Sequence, residues 1–292
     1  MMLIDGIAAE FLLSACLRYD MSPIPLTLEA TVRLTPATAG LLRDGQTIVC
    51  NGITFRIVKA EPTRNPGSTL QGDYPLSAIQ ITAFPDSVAG VAARRRSAVI
   101  VSHSGFAALY RACGATAKVI GDIPIRQFAV YCGALPTPHL AQVLQEAGAI
   151  MVWRSGQIHL LRLRELLNQP IQGALEVASS ETLQSSLLEL DDIPVYFSTQ
   201  EQGGFIQGPR HHLAQCVRYA PGKNQAELAL MGKVLVQRTA ITTELNCTLR
   251  AGDVIALQGL PLVIMTAAHV MQNNVDGAGL RQYSRFWLGS GS

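Results

Sequence analysis

From Leu26 to Leu34, hydrophobic and polar residues alternate. Leu26, Leu28, Ala30, Val32 and Leu34 fall on one side, and Thr27, Glu29, Thr31 and Arg33 on the other. A period of two marks a half-buried β-strand. Ile48-Val49-Cys50 and Ile53 to Val58 are short runs rich in β-branched residues, and Asn51-Gly52 separates them. Asn-Gly suits a two-residue type I′ turn, whose central residues both need positive φ. The chain reads alike near its other end, where Val254 to Leu257, Gln258-Gly259 and Leu260 to Met265 follow one another. A β-hairpin is predicted at each place.

These hairpins lie within a longer match. Leu42 to Ala60 aligns without a gap on Leu249 to Ala267 at an offset of 207, with seven of nineteen positions identical. Chance would give about one or two at ordinary composition. The turn glycines Gly45 and Gly252, and Gly52 and Gly259, are among the identical pairs. Upstream, Cys16-Leu17-Arg18-Tyr19 matches Cys216-Val217-Arg218-Tyr219 at an offset of 200, and Glu227 to Val236 stands where the alternating strand should be. The expectation is an internal duplication in a mainly β chain. Two related β-barrel domains, residues 1–96 and 173–292, would flank a small α/β insert at 97–172.

In that insert the period changes. Phe106, Leu109, Tyr110 and Cys113 have helical spacing, and Gly114 closes the helix. A second helix is predicted with Thr137 as N-cap and Pro138 at its first position; Leu140, Val143, Leu144 and Ala147 form its apolar face and Gly148 follows its end. Ala149 to Trp153 and Ile158 to Leu163 read as strands about a turn at Arg154 to Gln157. A short helix, Leu163 to Asn168, then leads to a linker at Pro170.

Composition adds a prior about assembly. Hydrophobic residues make up 48% of the 292 residues and charged residues only 15%, against about 25% charge in ordinary globular chains. Low-charge surface suits subunit interfaces, which favours an oligomer. A net charge of +2 argues against a general nucleic-acid binder, which carries a basic stripe. Arg94-Arg95-Arg96 is the single basic cluster. It reads as a solvated domain junction, with contact to DNA or an acidic partner as the alternative. No apolar run reaches the roughly 18 residues of a membrane span. Asp5 and Glu10 occupy the place of a signal peptide's basic region. The six cysteines are scattered, mostly in apolar runs, and read as reduced core residues of a cytosolic protein.

Candidate chemistry is sparse. Ser102-His103-Ser104-Gly105 lacks the first glycine of a nucleophile elbow, and Ser104 reads as a helix cap. His211-His212 would point to opposite faces of a strand, without metal-ligand spacing around it. Asp191-Asp192 reads as a turn before a strand, with no partner for acid–base work. Gly203-Gly204 and Gly208-Pro209 lack the Lys-Ser/Thr of a phosphate loop and read as a flexible loop. Trp153 and Trp287 read as packing anchors. No catalytic residue, metal site or cofactor is expected, and the interface residues cannot be read from the chain.

The segment Phe128 to Leu163 (FAVYCGALPTPHLAQVLQEAGAIMVWRSGQIHLLRL) resembles a part of phage tail hub proteins, the late-control D proteins and the hub portions of type VI secretion spike proteins. There a strand leads to a leucine-rich helix ending near a glycine, then to a strand, a Ser-Gly or Asp-Gly turn and a returning strand. Pro136 to Gly148, Ile150 to Trp153, Ser155-Gly156 and Ile158 to Leu161 follow that order, and Gly105 to Gly114 fits the preceding helix. Gln282 to Gly289 (QYSRFWLG) adds to the likeness. The resemblance implies two tube-like β-barrels per chain and a homotrimer whose six barrels join a sixfold tail tube to a trimeric spike. It implies the tube protein, the spike protein and other baseplate proteins as partners, transient non-specific contact with passing DNA, and a place in the virion tail after assembly in the host cytoplasm. No spike helix, needle or lysozyme-like domain is legible. Another tail ring, such as a distal tail protein, and a cell-wall hydrolase are the alternatives.

Overall fold

The structure, a computed structural model, describes residues 3–63, 69–71, 74–175, 180–182, 194–200, 202–210, 216–273 and 279–291. It is mainly β. The first part contains β1 (Leu12–Asp20), β2 (Leu26–Arg33), α1 (Pro36–Leu41), β3 (Thr47–Cys50), β4 (Ile53–Pro62), β5 (Thr69–Gln71), β6 (Tyr74–Leu76), β7 (Ala78–Pro85) and α2 (Asp86–Ala89). The middle contains β8 (Val99–Gly105), α3 (Phe106–Ala112), β9 (Val119–Ile120), β10 (Pro124–Val130), α4 (Pro136–Glu146), β11 (Ala149–Arg154), β12 (Gln157–Arg162), α5 (Leu163–Leu167) and β13 (Ile171–Leu175). The last part contains β14 (Ser180–Thr182), β15 (Pro194–Thr199), β16 (Phe205–Gln207), β17 (Cys216–Tyr219), α6 (Gln225–Met231), β18 (Leu235–Glu244), β19 (Val254–Leu257), β20 (Leu260–Asn273) and β21 (Leu280–Gly291).

Two groups of five strands share one spatial order. The first runs β1-β2-β7-β4-β3 and the second β14-β18-β21-β20-β19, antiparallel throughout. Within the hairpins the likeness extends to single bonds. Ile48 faces Phe55 as Ile255 faces Leu262. Gly45 N donates to Ile57 O and Ile57 N to Gln46 O, both at 2.8 Å; Gly252 N to Ile264 O and Ile264 N to Asp253 O repeat them at 2.8 Å. Val58 is the extra residue of a bulge against β7, and Met265 of one against β21. The turns carry positive φ at Asn51 (50°) and Gly52 (75°), and at Gln258 (51°) and Gly259 (81°), as a type I′ turn requires.

The groups are fused into one sheet. Ser14 to Asp20 of β1 pair antiparallel with Gln272 to Thr266 of β20. One apolar core runs through both groups and the middle segment, from Phe55 and Ile57 through Phe106, Tyr110 and Leu140 to Ile264 and Phe286. The Tyr110 hydroxyl donates to the Pro23 carbonyl at 2.7 Å within it. The middle segment attaches twice to the second group. β13 adds in parallel to the edge of β19, and β11 lies against the turn at Gly252.

Several local expectations are corrected. α4 begins two residues earlier than expected, with Leu135 rather than Thr137 as N-cap and Pro136 rather than Pro138 at its first position; a proline is equally suited to either start. Ser104 does not cap α3. Asp122 Oδ1 accepts from Ala107 N at 3.1 Å instead, a cap supplied from outside the helix and invisible to local pattern. Cys216 to Tyr219 is not the counterpart of Cys16 to Tyr19. It forms β17, parallel to β15 in a separate sheet ordered β16-β15-β17. Gln225 to Met231 is helix rather than strand, because Asn224 and Glu227 form a reciprocal capping box. The strand equivalent to β2 is β18. Of the six free cysteines only Cys50 and Cys113 are buried, while Cys132 and Cys247 are exposed.

Gly45 and Gly252 differ in surroundings. Both have positive φ, 82° and 87°. A Cβ on Gly45 would meet nothing within 4 Å, whereas on Gly252 it would lie 2.6 Å from Val152 Cγ1. Left-handed backbone costs an alanine about 1–2 kcal/mol, and forcing a methyl into a packed site adds about 1–3. Gly252→Ala is therefore expected to lower stability by about 2–4 kcal/mol, and Gly45→Ala by about 1. Urea unfolding of both variants checks the difference.

Candidate functional site

The β1–β20 seam gathers the polar groups that the core would otherwise exclude. His269 of β20 is fully buried. It stands opposite Ser284 of β21, with Nδ1 2.8 Å from Ser284 Oγ. That oxygen also accepts from Asn246 N at 2.8 Å, so one hydroxyl joins two strands to the loop after β18. The imidazole lies edge-on to Tyr19 and Phe286, at 5.7 Å and 6.1 Å between centroids. Burial drives the His269 pKa down to about 4; the Leu249 carbonyl opposes this and Arg250 adds to it. The ring is neutral at ordinary pH.

A second cluster links the middle segment to the same seam. Arg154 at the end of β11 donates through Nη2 to Asp253 Oδ1 at 2.7 Å. The other oxygen of Asp253 accepts from Arg250 N at 2.7 Å, and the Arg250 guanidinium lies 5.4 Å from the Tyr19 ring centre. Burial raises the Asp253 pKa, against the pull of Arg154. Gln169 Nε2 donates to Gly252 O at 3.1 Å. Thus a charged hydrogen bond, stronger than a neutral one, joins β11 to the turn before β19, and Tyr19 of β1 and Gln169, just after α5, close on the same turn. Between Tyr19, Asn51, Arg250 and His269 lies a cavity of about 140 Å³, small beside the roughly 300 Å³ at which ligand pockets begin. Chemically the arrangement is a clamp: His269 and Ser284 are adjacent, but both are buried.

The other candidate residues are dispersed. Ser102 and His103 are exposed, and Ser104 Oγ donates to the Gly105 carbonyl at 3.4 Å. Asp191-Asp192 and His211-His212 lie outside the described residues. Gly203 and Gly204 form a tight turn, with Gln200 N donating to Gly204 O and Gly203 N to Gln200 O. Trp153 is buried; Trp287 is half-buried under Arg285. The arginine run holds a loop rather than lying free: Arg94 Nη1 donates to Gly133 O, Arg95 N to Ala134 O and Arg95 Nη1 to Cys113 O. Among the described residues, no group of three His, Cys, Asp or Glu could hold a metal.

One surface escaped the sequence pattern. Phe205 on β16 and Val217 and Tyr219 on β17 are exposed, at 76%, 59% and 51%. Phe197 of β15 lies between the two aromatic rings, 5.9 Å from Phe205 and 5.1 Å from Tyr219. The alternation of Val195, Phe197 and Thr199 with Tyr196 and buried Ser198 was the available signal. This module rests on the middle segment through Gln145 Nε2 to the Tyr196 hydroxyl (2.6 Å) and a Lys223–Glu146 ion pair (2.7 Å).

The sequence matches no family model and no curated relative. Solved structures do match. The 43 kDa tail protein of prophage MuSo2 from Shewanella oneidensis is 13% identical, with a TM-score of 0.62 over 98% of this chain and 97% of that one. A tail protein from Neisseria meningitidis MC58 is 9% identical, with a TM-score of 0.64 over 99% and 96%. The fold is that of phage tail proteins. It extends to an Escherichia coli component of the type VI secretion system described as structurally similar to the T4 bacteriophage tail proteins gp27 and gp5, with 10% identity and a TM-score of 0.55 over 99% of this chain and 76% of that one.

The clamp makes stability depend on pH. The pKa of His269 is about 4 when folded and about 6.5 when unfolded. Between these values the unfolded chain binds the extra proton, so stability rises with pH. Its contribution is complete above about 6.5 and is lost as pH falls toward 4, by on the order of 3 kcal/mol. Urea midpoints of the wild type should fall over that range. His269→Leu should be less stable at pH 7 and show a flatter profile. An unchanged slope in the variant counts against this assignment.

Proposed function

We propose that the chain is a structural, non-enzymatic hub of a phage tail baseplate, a homotrimeric adaptor that joins a sixfold tail tube to a trimeric spike around the DNA channel. One observation carries the reading: two five-stranded groups repeat the same strand order and the same turn hydrogen bonds. An internal duplication with domains near 1–96 and 173–292 accounts for it, and the groups act as two tube-like barrels. Three chains with two such units each present six similar positions, which matches a threefold object to a sixfold one. The low charge of the chain, 15%, suits extensive contact between subunits. The tail proteins of the same fold support a role in the tail. The partners in this reading are the tube protein, the spike and other baseplate proteins, with DNA touched only in passage.

Light scattering on the purified chain tests the stoichiometry. The expected mass is three times the 31.3 kDa of one chain, alone or on addition of tube and spike proteins. A chain that remains monomeric with both partners present rules the adaptor out. Peptidoglycan zymography should be blank; clearing that is lost on substituting Asp191 or His211 would favour a hydrolase.

A further inference from the structure

Two donors beside the seam have no acceptor among the described protein atoms. His269 Nε2 and Arg250 Nε are both buried, and neither makes a hydrogen bond. The neighbours of His269 set its donor. Ser284 Oγ accepts from Asn246 N, so its own hydrogen goes to His269 Nδ1. The single hydrogen of the neutral ring then sits on Nε2. The Leu249 carbonyl is near enough to act on the ring but makes no hydrogen bond with it. A buried donor without an acceptor is costly, most of all on a charged group.

Charge around these donors is out of balance. One oxygen of Asp253 accepts from Arg154 Nη2 and the other from the backbone N–H of Arg250. Among the described residues, no carboxylate forms an ion pair with the half-buried Arg250 guanidinium. Two arginines therefore share one acid, and one positive charge is left over. It lies close to His269: the guanidinium is 5.4 Å and the imidazole 5.7 Å from the centre of the same Tyr19 ring. Both residues line the cavity of about 140 Å³, and of the described residues around it Arg250 alone is charged. One water occupies about 30 Å³ of the liquid, so the space admits a small ion with a few waters and excludes a sugar or a nucleotide. Asn51 and Cys247 also line it and are exposed, which gives solvent a way in.

We propose that this cavity binds a small monovalent anion, such as chloride, against His269 Nε2 and the Arg250 guanidinium. An anion accepts from both groups and supplies the missing counter-charge. A water also accepts, but it needs acceptors for its own two hydrogens and brings no charge. A cation is opposed twice. Arg250 repels it, and the hydrogen on Nε2 occupies the lone pair a metal would use. The bound ion touches β20 through His269 and the turn before β19 through Arg250, beside Tyr19 of β1. It thus ties together the strands at which the two ends of the chain meet. The site goes beyond the hub reading and does not depend on it.

The test uses the full-length chain. Urea unfolding is followed at pH 7 while chloride replaces gluconate, an anion too large for the cavity. Fixed ionic strength keeps general screening constant. Each tenfold rise in chloride beyond the dissociation constant should raise the folded-to-unfolded ratio about tenfold, and bromide and nitrate should act as chloride does. A stability that ignores chloride overturns the site. Chloride NMR reads binding directly. The wild type should broaden the ³⁵Cl line, and so should Arg126→Gln, which removes an exposed arginine elsewhere. Arg250→Gln and His269→Phe should lose most of the broadening while keeping the circular dichroism of the fold. Equal broadening by wild type and folded Arg250→Gln places the ion elsewhere and overturns the site. If both variants fail to fold, crystals of the wild type grown in bromide decide. An anomalous peak within hydrogen-bond reach of His269 Nε2 supports the site; waters alone there overturn it. Zinc bound in its place, and released by Cys247→Ser, overturns it as well.

Discussion

The ladder between β1 and β20 is the interaction on which the rest depends. It joins residues 14–20 to 266–272, so nearly the whole chain lies inside the loop it closes. Closing a long loop costs entropy that grows only slowly with its length, but the cost comes before the contacts that repay it. Around the seam the sequence places Tyr19, His269, Ser284 and Arg250, and Thr266 Oγ1 donates to Asp20 Oδ1 across it at 2.8 Å. The middle segment fits between the two ends only because the seam holds both. Arg154 then reaches Asp253, and β13 reaches the edge of β19.

The two halves are alike at their turns and unlike in their surroundings. The turn at Gly252 is covered by Val152, Arg154 and Gln169; the turn at Gly45 is open, with Arg56 Nη1 donating to its carbonyl at 3.1 Å. One half therefore spends its turn on an internal contact, and the other presents the same backbone shape to solvent. A chain built from two equal units would be symmetric in its offered surfaces. This one is not, because the middle segment covers the turn of one unit alone.

What was legible in the sequence was local. Asn51-Gly52 and Ser155-Gly156 specify φ over two adjacent residues, and α3 and α4 follow from apolar spacing over a few turns. The offset of 207 was legible because no residue is inserted between the turns and the bulges. The counterpart of β1 was not. β14 has three residues, and a separate module of β15, β16, β17 and α6 stands between it and β18, so a chance likeness at Cys216 to Tyr219 took its place. The clamp was hidden for another reason. Its bonds join residues 99 and 83 positions apart, and nothing near Arg154 or Gln169 indicates which turn each will meet.

That contrast bears on how such a chain evolves. The core of an unpaired five-stranded group needs only apolar side chains of suitable volume, which substitution changes freely. Among the seven positions held in common, Gly45 with Gly252 and Gly52 with Gly259 are set by backbone dihedrals instead. The same dihedrals hold at both turns although their neighbours differ, because a type I′ turn accepts few residues whatever packs against it. Sequence identity of 9–13% to structures covered almost end to end fits the same logic. Within this chain the two groups keep strand order, bulges and turns, while twelve of the nineteen aligned side chains differ.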